Sequence, residues 1–95
     1  MPSNQLERTA GFLVTGRVQR VGFRWWTRRT ASGLGLSGTV RNLADGAVEV
    51  RVRGSPEAIE IFREHLYAGP PGAAVVAVES FPVVESLPVG FHVLA

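Results

Sequence analysis

The stretch that most restricts how this chain can fold is Gly16-Arg17-Val18-Gln19-Arg20-Val21-Gly22-Phe23-Arg24. Residues 11 to 18 are rich in β-branched and apolar types (Phe12, Leu13, Val14, Val18) and alternate as a half-buried strand does. Beyond the stretch, Phe23, Trp26, Thr30 or Ala31, and Leu34 recur at helical spacing. That spacing predicts a helix from about residue 23 to 34, ended by Gly33 or Gly35, with Arg28 and Arg29 on its opposite face. A glycine-bearing loop between a strand and a helix start is a place for an anion. The first N–H groups of a helix lack intrahelical partners and lie at the positive end of its dipole, so an oxyanion there gains several donors without a metal. An arginine at that end is poorly placed unless an anion is present, and the planar guanidinium of Arg24 then offers a two-pronged clamp.

The remaining elements follow from punctuation and period. Residues 37 to 43 and 47 to 53 read as two strands around Asp45-Gly46, a pair that favours the positive φ angles of a tight hairpin turn. Val48, Val50 and Val52 are predicted to face a core and Glu49, Arg51 and Arg53 to face water, giving a sheet with one covered and one open side. Ser55-Pro56-Glu57 supplies a cap, a first-turn proline and an acid for a second helix. Its predicted apolar stripe is Ala58, Ile61, Phe62, His65 and Leu66, and Gly69-Pro70-Pro71 ends it. Residues 75 to 84 and 91 to 94 read as two further strands. The order strand, helix, strand, strand, helix, strand predicts an α+β domain of the ferredoxin-like βαββαβ type, an antiparallel sheet with two helices packed on one face, plus a short C-terminal strand.

Ninety-five residues, 45% of them hydrophobic, make one domain with a single core. The absence of cysteine excludes disulfides, a thiolate nucleophile and cysteine-ligated zinc. No apolar run is long enough to span a bilayer, and residues 1 to 9 lack the order of a signal peptide, which predicts a cytoplasmic protein with a flexible segment over 1–9 and a domain over 10–95. The net charge of +2 conceals an asymmetry: Arg8 to Ala44 holds seven arginines and no acid, and Asp45 onward holds seven acids against three arginines. The loop half is therefore a basic field that draws anions from solution.

Read together with Gly38-Thr39-Val40-Arg41-Asn42, Asp45-Gly46-Ala47-Val48 and Gly54, the loop resembles the acylphosphatase family. That family carries a loop of the form G-x-V-Q-G-V-x-F-R and a second signature with a basic-asparagine pair and spaced glycine, valine and glycine. Both signatures occur here in order, each with one departure: Arg20 stands at the loop's middle glycine and Thr39 at the usual aromatic. Ala68-Gly69-Pro70-Pro71 and Phe91-His92-Val93 extend the resemblance over roughly residues 10 to 95. It implies the ferredoxin-like fold with an extra last strand. It also implies hydrolysis of small-molecule acyl phosphates to a carboxylate and inorganic phosphate, with inorganic phosphate as product and inhibitor. On that implication the loop N–H groups of Val18, Gln19, Arg20, Val21, Gly22 and Phe23 and the side chain of Arg24 hold the phosphate, Asn42 orients the attacking water, and no cofactor or metal takes part.

Two other functions fit the same fold. A non-catalytic anion-binding module would keep the loop and lose turnover through Arg20. An RNA-binding module would stack bases on an open sheet face, but Trp25 and Trp26 fall on the first helix and the outward residues of the third strand are charged. The expectation is therefore no nucleic-acid or membrane partner and a monomer, although an exposed last strand could pair across a dimer. Trp26 is expected in the core with Trp25 partly exposed near the loop, and His65 and His92 are expected to be structural, as is Gln19, bracing the loop. A family glycine at position 20 suggests either a positive φ or a close backbone approach, and an arginine with positive φ costs on the order of 1–2 kcal/mol. Its side chain is expected to swing away from the loop and leave the enzyme active.

Overall fold

The structure, a computed structural model, describes residues 6 to 95. Its elements are β1 (Arg8–Arg17), α1 (Phe23–Gly33), β2 (Ser37–Asn42), β3 (Val48–Gly54), α2 (Pro56–Ala68), β4 (Ala74–Phe81) and β5 (Phe91–Val93). The strands form one sheet in the order β4-β1-β3-β2-β5, and α1 and α2 lie together on one face of it. This is the expected ferredoxin-like arrangement. The four longer strands are antiparallel, but β5 pairs with β2 in parallel, so the complete sheet is mixed.

The covered face is built from alternate residues. Phe12 and Val14 of β1 lie opposite Val50 and Val48 of β3, and Val40 of β2 lies opposite Val50. All are buried, with Phe23, Thr27 and Ala31 of α1 and Ile59, Phe62 and Leu66 of α2 closing the core. The rings of Phe12 and Phe62 meet at 6.1 Å between centroids. Burying side chains of this size stabilises by about 1.5–3 kcal/mol each. Both helical stripes are rotated from expectation. In α2 Ile59 occupies the core while Ile61 and His65 are exposed, and in α1 Thr27 is fully buried while Trp26 is half-buried against Phe23.

Two further departures concern loops. The β2–β3 connection spans residues 43 to 47, and only Gly46 has a positive φ (97°). Asp45 instead accepts the Ala47 N–H through Oδ1 at 3.0 Å, an Asx-type brace, so the turn is not the tight two-residue kind. The second departure is larger. The connection from β4 to β5 runs from one edge of the sheet to the other, and residues 82 to 90 cross the face opposite the helices. Val83 and Leu87 are the buried residues of this strap, Thr9 donates to the Val83 carbonyl, and Arg53 donates to the Leu87 carbonyl at 2.8 Å. Glu49, Arg51 and Arg53 therefore do not lie open to water. They form a covered ladder in which Glu49 pairs with Arg41 and Arg51, Arg51 with Glu85, and Arg53 with Glu7.

At the other end of the chain, β1 begins at Arg8, paired with Gly54, so the expected boundary after Thr9 falls inside a strand. Of the expected flexible segment, Leu6 and Glu7 precede the strand, and residues 1 to 5 lie outside the described residues. Among the described residues, no helix is long and apolar enough to cross a membrane.

Candidate active site

The strand, loop, helix unit predicted around residue 20 is present, and its geometry follows from three backbone requirements. Gly16 has φ 123° at the irregularity where β1 shifts register against β4, and a Cβ there would strike the Ala74 carbonyl. The loop then turns at Arg20 (φ 63°), which among the described residues is the one non-glycine with a positive φ. Gly22 (φ 75°) is the N-cap of α1 and has open space around its Cα, so glycine is needed there for conformation and not for room. Position 20 thus has a positive φ, one of the two alternatives that a family glycine suggested, carried here by an exposed arginine.

The two helix starts differ in a way that bears on charge. The start of α2 is satisfied by its own residues: the Ser55 hydroxyl accepts the Ala58 N–H at 3.1 Å and Glu57 sits in the first turn. The start of α1 has no side-chain cap and no acid, and its first backbone bond is from the Trp26 N–H to the Gly22 carbonyl at 3.0 Å. At this helix start lies a small cavity of about 80 Å³ lined by Val18, Arg20, Gly22, Phe23, Arg24, Trp25 and Asn42. No carboxylate lines it.

Asn42 reaches this cavity because of register. It pairs with Val48 at the end of β2, which puts it on the helix-bearing side of the sheet, below the loop. The loop is held over that strand end by Gln19, whose Nε2 donates to the carbonyls of Leu43 and Ala47, both at 2.9 Å. The expected bracing role of Gln19 is therefore visible as two hydrogen bonds to the hairpin turn. The Asn42 Oδ1 atom is buried and has no partner. A buried amide oxygen left unpaired is costly, and it is suited to receive an O–H from a molecule entering the cavity.

Arg24 is held by a residue that the sequence did not mark. Its Nη1 donates to the Leu94 carbonyl at 2.9 Å, and Leu94 is itself tied to β2 by its N–H to the Val40 carbonyl at 2.8 Å. A backbone carbonyl leaves no trace in residue type, so only the fold could show it. Arg28 similarly donates to the Phe91 carbonyl at 3.3 Å. Trp25, 55% exposed, forms part of the cavity rim. Val21 packs against the core and does not line the cavity; Val18 is buried and does.

The fold is that of a ferredoxin-like α+β domain, with a small cavity where the first loop meets the first helix. The acylphosphatase family profile matches residues 10–93, and the chain belongs to the acylphosphatase family. It is 49% identical over 83 residues to an acylphosphatase of Alkalilimnicola ehrlichii, covering 87% of this chain and 93% of that one. It is 51% identical over 81 residues to an acylphosphatase of Thermus thermophilus, covering 85% and 92%. The structure of an acylphosphatase from Coxiella burnetii superposes with a TM-score of 0.87 at 39% identity, over 93% of each chain. The reading made from the two signatures is thereby borne out in family and fold.

Proposed function

We propose that the chain is a metal-independent acylphosphatase in which the loop, Arg24 and Asn42 carry the reaction. The supporting observation is one cavity that unites an uncapped helix start, a tethered arginine and an unpaired amide oxygen. An acyl phosphate already has a good leaving group, so hydrolysis needs charge stabilisation and a placed water more than a strong base. The N–H groups of the Val18–Phe23 loop and the Arg24 guanidinium hold the phosphoryl oxygens. The Asn42 Oδ1 accepts one O–H of a water and aims its lone pair at phosphorus. As the water oxygen bonds to phosphorus, the bond from phosphorus to the carboxyl oxygen breaks and its electron pair leaves on the carboxylate. The water's protons pass to the phosphate oxygens and solvent. Inorganic phosphate, the second product, fits the same cradle and competes with substrate.

The test is hydrolysis of benzoyl phosphate by purified protein in the presence of EDTA, followed by ultraviolet absorbance. Rapid turnover, lost by a hundredfold or more in Arg24→Ala and little restored in Arg24→Lys, is the expected result. Arg24→Ala retaining a tenth of the activity would contradict the role given to it. Phosphate binding without turnover in the wild type would instead favour the non-catalytic anion-binding reading.

A further inference from the structure

We infer that Arg20 makes the enzyme selective for acyl phosphates whose acyl part carries a second negative charge, such as a carboxylate; this rests on the hydrolase reading above. The cradle, about 80 Å³, takes the phosphoryl group and leaves the acyl part at its rim. Two of the lining residues, Arg20 and Trp25, are exposed and carry large side chains.

Of the arginines around the first helix, only one lines the cavity without a fixing partner among the described residues. The five ion pairs among the described residues engage Arg41, Arg51, Arg53 and Arg63, all away from the cradle. Arg17, Arg20, Arg24, Arg28 and Arg29 pair with no carboxylate among the described residues. Arg24 and Arg28 are nonetheless fixed by the carbonyls of Leu94 and Phe91. Arg20 has no such tether among the described residues, and of the untethered arginines it alone lines the cavity. Its charge is therefore available to a ligand.

The backbone supplies an independent reason. Arg20 sits at φ 63°, a conformation that glycine would adopt without strain and that costs an arginine on the order of 1–2 kcal/mol. Strain of this kind persists where the surroundings impose it and clusters at ligand-binding positions. A cation kept at a strained position in the wall of an anion cradle has a use if it meets substrate. Arg24 is fixed by the Leu94 carbonyl and stands with the helix start at the cavity, and we assign the untethered Arg20 to a second anion, on the acyl part.

The experiment compares benzoyl phosphates bearing a para-carboxylate or a para-carboxamide, which match in size and differ in charge, in wild type, Arg20→Gly and Arg20→Lys. The wild type is expected to favour the carboxylate by roughly fivefold in kcat/KM at low ionic strength, mainly through KM, as one exposed charge pair allows. The preference should fall toward one in about 0.5 M salt and in Arg20→Gly, and should be largely retained in Arg20→Lys. Hydrolysis of both substrates with equal kcat/KM in the wild type, or an unchanged preference in Arg20→Gly, overturns the inference and leaves the hydrolase reading standing. Hydrolysis of neither, nor of benzoyl phosphate, overturns both.

Discussion

The guanidinium of Arg24 is positioned by Leu94, seventy residues further along the chain, through a 2.9 Å hydrogen bond to its backbone carbonyl. The clamp on α1 therefore depends on the strand end after β5 and on the Leu94 N–H that anchors it to Val40. Leu94→Pro removes that N–H and should loosen the clamp, lowering kcat about tenfold, whereas Leu94→Ala keeps the backbone and should stay near wild type. Equal kcat in the two variants would mean that Arg24 holds its place unaided. A melting curve for each separates loss of the tether from loss of the fold.

Activity and stability should move in different directions at Asn42. On the water-orienting role proposed for its amide oxygen, Asn42→Ala is expected to cut kcat about a hundredfold while the inhibition constant for phosphate changes little. Because Oδ1 is buried and unpaired in the free protein, its removal should leave the unfolding midpoint unchanged or raised. A large drop in stability on substitution would show that the amide has a structural partner instead.

For Arg20 the backbone predicts a gain in stability. Replacing it with glycine relieves about 1–2 kcal/mol of positive-φ strain and returns roughly half of that through a freer unfolded chain. The net is a rise in Tm of a few degrees for a domain this small. Arg20→Ala keeps the strain and should give no such rise, so the pair of variants distinguishes strain from loss of charge.

Glu49 sets an acid-dependent contribution to stability. Burial beneath the strap works to raise its pKa, but hydrogen bonds from Arg41 and Arg51 and the charges of both outweigh this and hold it below the ordinary carboxylate value. A carboxylate whose folded pKa lies below its unfolded value, about 4.3, stabilises fully above that value and loses the contribution as pH falls through the folded pKa. Glu49→Gln should therefore be less stable than wild type at pH near 7, with the gap closing as pH falls below about 4. Denaturant unfolding at several pH values measures it, and a gap that does not vary with pH would exclude the ion-paired state.

The strand, loop, helix unit and Arg24 were legible because local signals agreed: glycines at the loop, alternation before it and helical spacing after it. Knowing that glycine is usual at position 20 left two readings, a positive φ or a close backbone approach, and the backbone shows the positive φ. Asn42 was not legible from its neighbours. Its place in the cradle comes from its pairing with Val48 and from Gln19 drawing the loop over the hairpin, both properties of assembled strands. The α2 stripe was misread because Ile61 and Ile59 both fit helical spacing, and only packing against the sheet chooses between them. The strap over residues 82 to 90 has no periodicity to read, so the covered Glu49 ladder and the parallel β5 could not be foreseen.

The two bonds from Gln19 to the hairpin turn also bear on the order in which the molecule assembles. Of the strand pairings, only β2 with β3 joins neighbours in sequence; β1 must find β3 and β4 across long intervening stretches. Pairing of that kind is slow because loop closure precedes its reward. Because Gln19 ties the loop to the carbonyls of Leu43 and Ala47, the loop reaches its final shape only with the distant hairpin turn beside it. On the phosphate-binding role proposed for the loop, phosphate should then stabilise the completed molecule in proportion to the logarithm of its concentration.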